Sequence, residues 1–210
     1  AGRRAAGGGG GAAHRARYIV PMLERGPIFE GMMKRIPPKD KLAMLFWGLF
    51  NGDKQQELFI GKMNEGGLLG LSEIIIDECQ PEVSYVLRVI ATHVEGGVPV
   101  AFQCRLGKDR TGIVAALLLL ALGASDEQVI NDYVKSHGRD QIALGAVERE
   151  AERIKTGPRL DRRVFQGAKV ETMEGVIAHI REKYGSIEGY LDRIGFDQKW
   201  RDDLRRAAKQ

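Results

Sequence analysis

Cys104 sits at the end of an apolar run, and Arg105, Lys108 and Arg110 follow it at once in "AFQCRLGKDRTG" (Ala101–Gly112). A structural cysteine prefers apolar neighbours and behaves as a small hydrophobe. A cysteine placed among cations and glycines is set up to be a thiolate or to line a pocket for an anion. Cys104 and Arg110 are separated by five residues and Thr111 comes next. In that spacing the backbone N–H groups of Arg105, Leu106, Gly107, Lys108, Asp109 and Arg110 can turn inward as a nest for a tetrahedral oxyanion. Gly107 admits a backbone angle or a close approach that a side chain would forbid. A helix starting near Arg110 adds its N-terminal N–H groups and dipole, which suit phosphate and lower the pKa of a thiol.

The chemistry this predicts is nucleophilic. A Cys104 thiolate attacks phosphorus and forms a phosphocysteine, while Arg110 holds two phosphoryl oxygens in a fork through the transition state. Thr111 hydrogen-bonds the sulfur and helps it leave in the second step. No cluster of His, Cys and acidic residues has metal-ligand spacing, so neither a metal nor a cofactor is expected.

Several elements must position that loop. "VPVAFQC" (Val98–Cys104) reads as a short buried central strand delivering Cys104 to a sheet edge. Before it, Pro81 starts a helix with Val83, Val86, Leu87, Ile90 and Val94 on one face, ended by Gly96 and Gly97. After it, Thr111–Gly123 is an apolar helix, and Ser125 with Gln128 forms a capping box for the next one. Asn131–Ser136, "NDYVKS", reads as a packing segment of that helix. Four more helices are expected, over Ala143–Lys155, Val170–Tyr184, Ser186–Ile194 and Asp197–Ala208. Upstream, "RYIVPM" (Arg17–Met22) reads as a strand and Leu42–Phe50 as a buried helix. The fold class expected is therefore α/β: a small, mostly parallel central sheet flanked by helices, with a helical C-terminal third.

At 210 residues the chain is long enough for one sizeable core, expected over 18–210. Its net charge of +4 resides in the first 17 residues, which hold four arginines and no acid; the remainder balances at 28 basic against 28 acidic residues. A nucleic-acid partner would want that excess on the folded domain, so none is expected. The opening, with five consecutive glycines, reads as a disordered tail or linker over 1–17. It is not a nucleotide-binding loop, because no Lys-Ser or Lys-Thr follows the glycines. Two cysteines, Cys79 and Cys104, make no disulfide framework, so an intracellular compartment, cytoplasmic or organellar, is expected. Cys79 reads as a packing residue, with redox pairing to Cys104 as the alternative. His93, His137 and His179 show no partner pattern. The longest apolar stretch, Gly112–Leu122, is too short to span a membrane.

The loop "CRLGKDRTG" resembles the signature loop of the protein tyrosine phosphatase superfamily. The longer run "VPVAFQCRLGKDRTGIVAALLLLALGASDEQVINDYVKS" resembles the tyrosine-phosphatase-like family with GKDRTG loops, and "YGSIEGYLDRIGFDQKWRDDLRR" resembles that family's closing helices. The likeness covers roughly residues 65–207. It implies phosphate-monoester hydrolysis through a phosphocysteine, on phosphoproteins (tyrosine or dual-specificity), phosphoinositides or inositol phosphates. Arg105 and Lys108 resemble the extra cations of phosphoinositide phosphatase loops, where they meet additional phosphates.

The sequence departs from the family at two places. Gln103 stands where the superfamily usually has the histidine that orients the loop. Nothing before Tyr18 matches the usual N-terminal strand with its "DLR…E"-like motif, so a missing strand is expected. The resemblance makes Asp109 the first choice for the general acid that protonates the leaving oxygen, with Asp53 and Asp77 as alternatives. Two other readings stand beside the enzyme: a pseudophosphatase that binds phosphorylated partners without turnover, and a redox or sulfur-transfer protein.

Overall fold

The computed structural model describes residues 16–138 and 161–209. Among them the chain forms nine α-helices and one 3-10 turn: α1 (Arg25–Arg35), α2 (Pro38–Phe50), α3 (Gly52–Glu78), α4 (Gln80–Glu95), α5 (Asp109–Ala121), α6 (Asp126–Val134), the 3-10 turn (Arg162–Phe165), α7 (Val170–Tyr184), α8 (Ile187–Arg193) and α9 (Gln198–Ala207). The helix expected over Ala143–Lys155 and nearly all of the 1–17 tail lie outside the described residues.

The expected central sheet is a correction: no described residue lies in a β-strand. Neither candidate strand has a ladder. The one backbone hydrogen bond within Arg17–Met22 is a tight turn, Met22 N–H to the Val20 carbonyl at 3.0 Å. Val98–Cys104 follows the turn at Gly96 and Gly97 as a bare connection, and Val98 and Phe102 face solvent. The apolar run was legible; a partner strand in register, which makes such a run a strand, is a non-local matter.

The helices pack where the periodicity places their apolar faces. Ile74, Ile75 and Ile76 at the end of α3 are fully buried, as are Val83 and Leu87 of α4, Leu117 of α5, Met173 and Ile180 of α7, and Tyr190 and Leu191 of α8. Burying each side chain of this size is worth roughly 1.5–3 kcal/mol. α5 touches α3, α4, α6 and α8, which makes it the central rod; α9 lies against α4. Arg205 of α9 donates to the carbonyl of Ala121 at 2.7 Å, satisfying one orphan acceptor at the end of α5.

Local signals hold at the helix ends. Ser125 Oγ accepts from Gln128 N–H at 3.3 Å and Gln128 Oε1 accepts from Ser125 N–H at 2.8 Å, completing the capping box. Ser186 and Asp197 cap α8 and α9 through their side chains. The segment Asn131–Ser136 does pack: Tyr133 is buried, and a Cβ on Gly112 would lie 2.7 Å from its ring, so only glycine lets α5 approach α6 so closely.

Two further expectations are corrected. α2 forms where expected, but its Leu42–Phe50 stretch is largely exposed rather than buried. The histidines also have partners: His179 Nε2 lies 3.0 Å from Asp77, His137 Nδ1 accepts from Ala168 N–H at 3.3 Å, and His93 lies 3.5 Å from Tyr18. These partners lie 31 to 102 residues away in sequence, beyond any spacing rule.

Candidate active site

The loop begins where the connection from α4 ends, at Cys104, and closes into α5 at Asp109. Gly107 takes a left-handed φ of 65°, while a Cβ there would meet only open space. The backbone angle is therefore what requires glycine at this position. The turn it makes carries the N–H groups of Leu106 and Lys108 back toward the Cys104 sulfur.

Thr111 serves both ends of the cysteine. Its Oγ1 accepts from the Cys104 backbone N–H at 2.9 Å, and its hydroxyl donates to the sulfur. Burial opposes ionisation of the thiol. The Thr111 hydroxyl and the N–H groups of Thr111, Leu106 and Lys108 outweigh it, and the pKa falls below the ordinary thiol value. These bonds gather at the start of a 13-residue helix, and they act in the direction that favours a thiolate.

The cations divide into different roles. Arg110 is half-buried, and its Nη1 donates to the Met22 carbonyl at 3.3 Å. Arg105 is exposed at the rim. Lys108 is buried, with Nζ donating to the Phe165 carbonyl at 2.7 Å and lying 3.6 Å from Asp109 Oδ1. Its ammonium thus fastens the loop to the 3-10 turn. That turn is held in its own right: Asp161 N–H donates to Asn64 at 2.8 Å, and Val164 packs against Gly67. Gly67 breaks α3 with a φ of 56°, and a Cβ there would lie 3.0 Å from the Val164 side chain. Loop, turn and α3 kink are linked by these contacts.

Asp109 lies in the first turn of α5, mostly buried beside Lys108. Asp53 is exposed in the first turn of α3. Asp77 lies beneath α1 and α7, where it accepts from Tyr184 at 2.7 Å, lies 2.9 Å from Lys183 and 3.0 Å from His179, and pairs with Arg35. Burial raises its pKa, but the bonds from Lys183, His179 and Tyr184 prevail and hold it at about 2. A carboxylate so firmly ionised has no proton to give near neutrality; it joins helices. Among the described residues no three His, Cys, Asp or Glu side chains converge to hold a metal ion.

Three contributors to the site had no signal in the sequence. The carbonyls of Met22 and Phe165 act through the backbone, so their residue types are silent. Leu23, whose N–H hydrogen-bonds the Cys79 sulfur, adopts a φ of 63°, the one positive value at a non-glycine among the described residues. Such strain beside a site holds only where its surroundings over-determine it. Here Met22 bonds Arg110 on one side and Leu23 bonds Cys79 on the other.

Comparison with known proteins agrees with the loop. A tyrosine-protein phosphatase of Nostoc commune is 30% identical over 124 residues, covering 57% of this chain and 42% of that protein. The triple specificity protein phosphatase PtpB of Mycobacterium tuberculosis is 32% identical over 124 residues, covering 53% of this chain and 44% of its own. The chain thus matches less than half the length of these curated relatives. The pattern of the tyrosine phosphatase family, in contrast, matches residues 53–209, from the start of α3 to the end of the described chain. With the Cys104–Arg110 loop inside that span, the chain belongs to the tyrosine phosphatase family.

Proposed function

We propose that this chain hydrolyses phosphate monoesters through a phosphocysteine formed on Cys104. The observation that carries the reading is the convergence of four hydrogen-bond donors on one sulfur whose pKa is lowered. The Cys104 thiolate attacks phosphorus as the ester P–O bond breaks, and the leaving oxygen takes a proton from Asp109. Arg110 turns from the Met22 carbonyl to hold two phosphoryl oxygens, and the backbone N–H groups of the loop hold the rest. Water then attacks phosphorus, giving its proton to the Asp109 carboxylate, and the sulfur departs as a thiolate that the Thr111 hydroxyl stabilises. Substrates are phosphoproteins, with phosphotyrosine or with dual specificity, or phosphoinositides; the exposed Arg105 meets any further phosphate.

A pseudophosphatase is the second reading, favoured by one observation: Gln103, in the position before the cysteine, is exposed and has no side-chain hydrogen bond to the loop. Steady-state hydrolysis of a small aryl phosphate across pH 5–8 by wild type, Cys104→Ser and Asp109→Asn separates the two. Turnover abolished by Cys104→Ser, with the pH profile altered by Asp109→Asn, supports the enzyme. Phosphate or tungstate binding with no turnover in the wild type supports the reader.

A further inference from the structure

The loop chemistry leaves α2 unexplained. Leu42, Leu45, Phe46, Leu49 and Phe50 fall at i, i+3, i+4, i+7 and i+8, the spacing of one helix face. That face is outward: the five residues are 69%, 63%, 52%, 75% and 71% exposed. The inward side is already satisfied, because Met44 is buried against Met32, Ile36 and Ile74. α2 therefore presents apolar surface on both sides, and only one of them is covered. A contiguous apolar patch on a protein surface marks a binding site.

The charge around the stripe selects the occupant. Lys39 and Lys41 flank its N-terminal end and form no ion pair among the described residues. Lys54 lies 3.9 Å from the centroid of the half-buried Trp47, at the other end. Asp40, the sole acid of α2, is neutralised by Lys62 at 3.0 Å. Of the six basic residues in 34–62, Lys34, Arg35 and Lys62 are paired with Glu78, Asp77 and Asp40, and Lys39, Lys41 and Lys54 form no ion pair among the described residues. Leucines and phenylalanines edged by lysines, with a tryptophan alongside, match an acyl boundary beneath anionic headgroups. A second copy of the chain would complement the leucines but meet the lysines with lysines. At 13 residues α2 is too short to cross a bilayer, and no helix among the described residues is long and apolar enough to do so.

We infer that α2 is an interfacial helix that seats this protein on an anionic lipid surface, its Leu42–Phe50 stripe entering the acyl boundary and Lys39, Lys41 and Lys54 contacting headgroup phosphates. The inference stands apart from the chemistry at Cys104. The test uses the full chain with phosphatidylcholine vesicles, with and without phosphatidylserine, read by co-sedimentation. In a Trp200→Phe background Trp47 is the sole tryptophan and its emission reports insertion. The expected result is binding at least about tenfold stronger with phosphatidylserine, a blue shift of Trp47, and loss of both in Leu45→Glu/Leu49→Glu. Lys39→Glu/Lys41→Glu is expected to remove the preference for phosphatidylserine by about tenfold or more. Aryl phosphate hydrolysis should be the same in all these variants, which separates this test from that of the active site.

Equal binding to both vesicle types, or wild-type binding by Leu45→Glu/Leu49→Glu, overturns the inference. So does a dimer in sedimentation velocity that those substitutions dissolve while vesicles capture nothing, which assigns the stripe to a second copy.

Discussion

The two cysteines have the same side chain and opposite chemistry. Cys79, at the junction of α3 and α4, is almost fully buried, and burial pushes its thiol up. It receives one backbone N–H, from Leu23; Glu82 and Glu78 press its pKa further up, and Arg110 offsets them in part. Cys104 also suffers a burial penalty, yet four donors from Thr111, Leu106 and Lys108 carry it the other way. Desolvation alone therefore does not decide whether a thiol ionises. The count of donors aimed at the sulfur does, and a loop entering a helix supplies more of them than a junction between two helices.

The widest separation between them is expected in turnover. Cys104→Ser should lower aryl phosphate hydrolysis by at least about a thousandfold, the scale of losing a nucleophile that acts with its partners as a unit. Cys79→Ser should stay within a few-fold of wild type. Equal losses in both would break the comparison and place Cys79 in the chemistry.

A buried carboxylate sharpens the contrast, because Asp77 is held by side chains from distant helices instead of a local nest. Asp77→Asn should destabilise the fold by about 2–4 kcal/mol in denaturant melts, since Lys183 loses its carboxylate and Arg35 keeps only Glu73. The sign of its pH dependence follows from a folded pKa of about 2 against the ordinary carboxyl value of 3.8 in the unfolded chain. Its contribution is complete above pH 4 and is lost as pH falls toward 2. Wild type should lose stability across that window more steeply than Asp77→Asn.

Gly107→Ala tests the loop backbone. Forcing a left-handed φ on alanine costs about 1–2 kcal/mol, so the melting temperature should fall by roughly 2–8 °C, and a loop that relaxes out of this turn should lower kcat by roughly tenfold. The smallest effect is expected at Thr111. Thr111→Val removes one donor of four, so the alkylation profile of Cys104 by iodoacetamide should move to higher pH, with the neutral-pH rate down about threefold or more. Thr111→Ser should restore it. Cys79 should be alkylated only at higher pH than Cys104, in every variant.

How legible each part was depended on the range of its interactions. The capping box at Ser125 and the helix stop at Gly96 and Gly97 are settled within four residues, and the structure has them where the sequence places them. The outer face of α2 was misread because periodicity identifies an apolar face without saying what lies against it. The absent sheet has the same cause at longer range: an extended apolar run says nothing about a neighbour in register. Lys108 looked like a ligand for substrate because its position in the loop was visible, whereas the Phe165 carbonyl that receives it lies 57 residues downstream.

The chemistry proposed for this protein rests on nine consecutive residues. A cysteine, a glycine that tolerates a positive φ, an arginine six places after the cysteine and a threonine at a helix start lie in one short loop, so their types and spacing made it legible. What surrounds that loop was decided elsewhere. The Met22 carbonyl on Arg110, the 3-10 turn on Lys108, the donors around Asp77 and the bare stripe of α2 all arise from segments brought together by packing. A backbone carbonyl carries no residue signature, and the packing that places it depends on the whole core at once.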